Sequence, residues 1–95
     1  NNVLAFPGVF RGALDVRASE INDEMKISAA KAIAGLVNED MNEDYIIANP
    51  FDKRVAKEVA IAVAKTAINT GVAQLNMKND EIKSYIKSSI AKYNN

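Results

Sequence analysis

The side chains with chemistry to offer are few. Two adjacent amides, Asn1 and Asn2, stand at the front of the sequence against an apolar run. A side-chain amide carries two donor hydrogens and an acceptor oxygen, and on the residues alone the plain role for the pair is to satisfy loop backbone. A second concentration of polar groups is the stretch NEDMNED, residues 38–44, in which Glu39, Asp40, Glu43 and Asp44 are hard oxygen donors of the kind a divalent cation takes. The ligand spacing of a calcium loop is absent, so the stretch reads as a solvated loop. The sequence has no His and no Cys. The commonest general base, the commonest transition-metal ligand, thiolate metal sites and disulfides are all removed together. Any chemistry must therefore use amides, carboxylates, Lys, Tyr or backbone.

Composition narrows the class further. The chain has 95 residues, enough for one small domain. Apolar residues make up 48% and charged residues 25%, the balance of an ordinary globular domain and not of a disordered one. Twelve basic and twelve acidic residues cancel, and no Lys/Arg block of the kind that binds phosphates occurs. Nucleic acid is set aside as a partner on that ground. No basic-then-apolar leader opens the chain, and no apolar run approaches the ~18 residues of a membrane span. The expectation is a soluble, cytoplasmic protein with no membrane partner.

Along the chain, Val3 to Phe6 is a short run apolar on both faces, stopped by Pro7-Gly8, and is expected to be a strand buried in a parallel sheet. Residues 9–18, VFRGALDVRA, have Val9, Ala13 and Val16 at helical spacing. Gly12 inside that helix weakens it by ~1 kcal/mol relative to Ala and hints at close packing against another backbone or a ligand, the plain reading being a contact with a sheet. A second helix is expected with Ser19 as N-cap, acidic residues Glu20, Asp23 and Glu24 in its first turns, and a stripe of Ile21, Met25, Ala29, Ile33, Leu36 and Val37. After the acidic loop, Tyr45 to Ile47 reads as a brief extended run ended by Asn49-Pro50. Asp52 then caps a third helix with Val55, Val59, Ala62, Val63, Ala67 and Thr70 on one face, and the helix closes on a left-handed Gly71. The last helix starts at Asn79-Asp80 and carries Ile82, Tyr85, Ile86, Ile90 and Tyr93 on one face, with Lys83, Lys87 and Lys92 in the solvated remainder. That face suits either a partner or its own domain.

One strand followed by about four helices leaves the strand's backbone groups without neighbours. The expected fold class is therefore α/β, the chain being the closing segment of an open α/β domain whose other strands lie upstream. The boundaries are residues 1–75 for that segment and 76–95 for a C-terminal amphipathic helix. The competing reading is an autonomous small helical interaction domain without catalysis. A buried extended run in residues 1–8 would separate the two, because only the α/β domain has a use for it.

Two stretches carry a resemblance. NNVLAFPGVFRGALDVRASEINDEMKISAAKAIAGLV and NEDYIIANPFDKRVAKEVAIAVAKTAINTGVA, together covering about residues 1–73, resemble the C-terminal part of the NAD(P)-binding domain of bacterial malic enzymes. The ordered blocks NNVLAFPGVFRGALD, INDEMK and NPFDKRV carry the likeness. Ala48 and Lys57 depart from it, standing where the family commonly has Pro. The resemblance implies a Rossmann-like fold and an enzyme that oxidises (S)-malate with NAD or NADP and decarboxylates the product to pyruvate and CO2. A divalent Mg or Mn would act as Lewis acid. It further implies that the catalytic Lys and Tyr, the metal carboxylates and the glycine-rich phosphate turn lie upstream of Asn1, so that no catalytic or metal residue falls in this chain. Asn1 and Asn2 match the family's Asn pair and are the expected substrate- or cofactor-binding residues, through amides that can hold a malate carboxylate or the nicotinamide carboxamide. The expected partners are the remainder of a malic enzyme polypeptide and a second subunit in a homodimer.

Overall fold

Residues 53–69, KRVAKEVAIAVAKTAIN, place Val55, Val59, Val63 and Ala67 on one stripe and Ala60 and Ala64 on a second, and all six are buried. A helix with so wide an apolar arc has to be covered on several sides. The computed structural model describes residues 3–75 and 79–93, and of the last helix the side chains of residues 81–88. Among the described residues a 3-10 turn, Val3–Ala5, precedes five helices: α1 (Pro7–Asp15), α2 (Asp23–Leu36), α3 (Glu43–Ala48), α4 (Lys53–Asn69) and α5 (Asn79–Tyr93). The Ala-rich α4 is the axis of the fold, with α1, α2 and α5 laid against it. Val9, Ala13 and Val16, then Met25 and Ala29, then Met41 and Ile46, and finally Ile82 and Ile86 complete one continuous core around it. Each of the larger of these side chains contributes ~1.5–3 kcal/mol of burial. The inward-facing half of α5 thus packs on its own fold, while Tyr85 stays exposed.

Side-chain oxygens start three of the helices. Asn22 accepts from the Met25 N–H at 2.9 Å, Asn42 from the Tyr45 N–H at 2.8 Å, and Asp52 from the Arg54 N–H at 2.9 Å, each satisfying a donor that the first turn leaves open. α1 starts instead with Pro7, whose fixed φ and missing N–H suit a first helical position. The ends of α1 and α4 are alike. Gly71 has φ +81°, its N–H reaches Ile68 O at 3.2 Å, and Val72 N–H reaches Ala67 O at 3.1 Å, the paired closing bonds of a Schellman cap. Arg17 takes the same role at φ +52°, with Arg17 N–H on Leu14 O at 3.0 Å and Ala18 N–H on Ala13 O at 2.8 Å. The two outgoing segments are then laced together: Ala18 bridges Ala73, Ser19 N–H donates to Val72 O, and Gln74 N–H donates to Val16 O.

Three expectations are corrected. Val3 to Phe6 is not a strand, and no strand occurs among the described residues: Phe6 N–H closes back on Val3 O at 3.0 Å, so the run winds into a turn instead of extending along a ladder. The second helix starts at Asn22, not Ser19, whose N–H and hydroxyl both turn to Val72 O. Tyr45 to Ile47 is helical, because Asn42 caps it and Glu43 and Asp44 place acidic charge in its first turn. The end of that helix at Ala48, before Asn49-Pro50, is where the proline rule puts it.

Candidate functional site

Asn1 and Asn2, the expected binding residues, lie outside the described residues. The segment immediately after them is described. The Val3–Ala5 turn rests against α1 and α2, and α1 is pressed onto α4 at two glycines. A Cβ added at Gly8 would stand 2.7 Å from Ala56 O and 2.9 Å from Val59 Cβ, and one at Gly12 would overlap Ala60 O and lie 3.0 Å from Ala60 Cα. The close approach expected at Gly12 is real, but its partner is a helix backbone and not a sheet. These glycines face α4, so they do not form a cradle for dinucleotide phosphates.

α1 also borders two open grooves, the first beside its contact with the start of α4 and the second beyond Phe10 and Leu14. The first, of about 300 Å³, is lined by Pro7, Gly8, Phe10, Arg11, Leu14, Phe51 and Ala56. The second, of about 380 Å³, lies between Phe10 and Leu14 on one wall and Arg17, Glu20, Ile21 and Gln74 on the other. Arg11 is paired along the helix with the buried Asp15, at 3.7 Å.

Two polar groupings lie elsewhere. At the start of α4, Tyr45 Oη donates to Asp52 Oδ2 at 2.6 Å, while Arg54 Nε and Nη2 donate to Oδ1 and Oδ2, each at 3.2 Å. The Arg54 fork, helped by the Tyr45 hydroxyl, holds the Asp52 carboxyl well below the usual carboxylate range, and the same contacts raise the Tyr45 phenol and the Arg54 guanidinium. All of the carboxylate's acceptor positions are engaged by its own neighbours and its helix cap, so the grouping fastens α3 to α4. Between α2 and α4, Asn22 Nδ2 donates to Thr70 Oγ1 at 2.9 Å and the Ser28 and Thr66 hydroxyls share a bond, each threonine also donating to a carbonyl of its own helix. This seam orders a helix contact, and neither threonine hydroxyl has a proton left for a ligand.

The acidic stretch is organised by its asparagines. Asn38 Oδ1 accepts from the N–H groups of Asp40 and Met41, and Asn42 caps α3. Among the described residues no three of Asp, Glu, His or Cys are gathered where they could hold a metal ion, so these residues do not fit the divalent cation that the resemblance implies. Sequence reasoning missed the burial of Met41 and the exposure of Phe10, Leu14 and Phe51. The signal for Phe10 and Leu14 was available, since α1 is apolar on more than one side. No described helix is long and apolar enough to cross a membrane.

A sequence model for "Malic enzyme, NAD binding domain" matches residues 1–68. The bifunctional malic/malolactic enzyme of Bacillus subtilis (strain 168) is 64% identical over 83 residues, which are 86% of this chain and 20% of that protein. The NAD-dependent malic enzyme of Geobacillus stearothermophilus is 60% identical over 75 residues, 78% of this chain and 16% of its own length. The NADP-dependent malic enzyme of Rhizobium meliloti (strain 1021) is 48% identical over 100 residues, 90% and 13% respectively. The crystal structure of malic enzyme from Pyrococcus horikoshii Ot3 superposes with a TM-score of 0.74 at 45% identity, covering 96% of this chain and 21% of that one. The chain spans about a fifth or less of the length of these proteins.

Proposed function

The chain belongs to the NAD-binding domain family of the malic enzymes, and from that premise we propose that it is one part of a longer enzyme that converts (S)-malate to pyruvate and CO2 while reducing NAD or NADP. The observation that carries the proposal is the unbroken family match over residues 1–68, which spans the Asn pair, the α1 block and the NPFDKRV block together. In such an enzyme a bound dinucleotide supplies the hydride acceptor and an Mg or Mn ion supplies Lewis acidity. On the family resemblance, the base, the acid, the metal carboxylates and the phosphate cradle fall to the remaining polypeptide.

This chain's own share is positioning. Asn1 and Asn2 offer neutral amides that can donate to a malate carboxylate or pair with a carboxamide, without bringing a competing cation near a metal. Pro7 and the glycine contacts of α1 on α4 fix the element next to them in the chain. An extended run at residues 1–8 would have told the cofactor domain from an autonomous helical one. Because Val3–Ala5 is a 3-10 turn, the family match carries that distinction instead.

The experiment is steady-state kinetics on the intact polypeptide. Asn2→Ala is expected to lower kcat/KM for malate by the loss of a hydrogen bond to a charged group, about 1–3 kcal/mol of transition-state binding. Unchanged kinetics in both Asn1→Ala and Asn2→Ala would return the pair to satisfying loop backbone.

A further inference from the structure

Gly8 lies where α1 first meets α4. A Cβ built there would stand 2.7 Å from Ala56 O, 2.9 Å from Val59 Cβ and 3.1 Å from Val59 Cγ1. The nearest of these atoms is backbone, and it has little room to yield. Ala56 is in the first turn of α4, its N–H donates to Asp52 O at 2.9 Å, and the Asp52 carboxylate is held by Tyr45 and Arg54. On the other side of Gly8 the chain is tied back to Val3. Val9 N–H donates to Phe6 O and Phe6 N–H donates to Val3 O, each at 3.0 Å, with the fixed φ of Pro7 between them. Val3, Leu4 and Phe6 also pack on the core, and the turn touches both α1 and α2. A displacement of the first turn of α1 is therefore carried to Val3, and Asn2 is the residue peptide-bonded to Val3.

We propose that Gly8 is a positioning residue for the malate reaction: by lacking a Cβ it lets α1 seat on the first turn of α4, and that seat fixes the backbone to which the Asn pair is joined. The inference rests on the reading above that these amides hold substrate or cofactor, and it names the contact that governs them. A methyl group at residue 8 would force the first turn of α1 away from Ala56 by roughly half an ångström. Misplacing a binding group by about 1 Å is enough to cost ~100-fold in rate. Gly12 touches α4 one turn later, beyond the residues that the two hydrogen bonds join.

A double-mutant cycle in the intact polypeptide tests the proposal, with kcat and KM for malate and a thermal melt recorded for each protein. Gly8→Ala is combined in turn with Asn1→Ala and with Asn2→Ala. At a temperature well below its melt, Gly8→Ala is expected to lose roughly tenfold or more in kcat/KM. Combined with one of the asparagine changes it is expected to be no worse than that change alone, as for two residues acting through one contact. Unaltered kcat/KM in Gly8→Ala would overturn the proposal. Losses that multiply in both double variants would overturn it too, because a purely structural contact multiplies. Val59→Ala opens the same contact from the α4 side without overpacking, and the same pattern is expected with a smaller loss. If Gly8→Ala yields no folded enzyme, the cycle on Val59→Ala decides by the same two criteria. If neither asparagine change alters the kinetics, the binding reading of the pair falls and this proposal falls with it. If one of them does while the α1 seat is silent or multiplicative, this proposal alone falls.

Discussion

At the scale of single residues, the decisive ones are small. Gly12 works by lacking a Cβ: the backbone of Ala60 occupies the space where one would go. Gly12→Ala is expected to destabilise the fold by about 1–3 kcal/mol through overpacking, even though Ala is the better helix former. Gly35, near the end of α2, has nothing within 4 Å of the same position, so Gly35→Ala is expected to stabilise by about 0.5–1 kcal/mol. Urea melts of the two variants check the contrast, and a Gly12→Ala protein as stable as the parent would remove the α1–α4 contact from its structural role. The close approach at Gly12 was legible in the sequence because an interior glycine is otherwise a cost. What it approached was not, since the spacing of one helix says nothing about the identity of its neighbour. Arg17 was not legible at all: a left-handed residue that is not glycine leaves no mark, and it costs ~1–2 kcal/mol that the bridge to residues 72–75 has to offset.

At the scale of elements, capping explains both what the sequence shows and what it hides. Asp52 and Gly71 bound α4 where the sequence places them, because a long apolar stripe leaves little choice of start and stop. α3 looks like an extended run in the sequence, because a six-residue helix has too few turns to show a period and its cap, Asn42, sits inside an acidic stretch. The Val3–Phe6 run looks like a strand from its apolar character, which a short buried segment of either kind shares. Asp52 supports a prediction of its own. Its carboxyl is held below its ordinary value of 3.8 by Arg54 and Tyr45, so the stability it contributes is fully present above that value and is lost as pH falls through the lower folded one. Asp52→Asn keeps an N-cap oxygen and loses the ion pair. Its melting temperature is expected to fall slightly at neutral pH and to depend less on pH than the parent's between about pH 5 and about pH 2. Asp52→Ala loses the cap as well, a further cost of about 1 kcal/mol. An unchanged pH profile in Asp52→Asn would remove the carboxylate from this role.

At the scale of the whole molecule, one Ala-rich helix gathers three others into a single core and leaves one helix half covered. The general class of core was legible from periodicity, and the family from three ordered blocks. The all-helical character of the described chain was not, because an apolar run carries no record of which partners are present to pair with it. The most direct measurement compares two purified proteins in one assay, the 95-residue chain and the intact polypeptide from its source, each given malate, NAD or NADP, and Mg or Mn, with formation of reduced nucleotide and pyruvate followed together. The expected result is coupled production of both by the intact polypeptide and none by the chain alone. Turnover by the isolated chain, or an intact polypeptide that forms neither product from malate, would contradict the assignment.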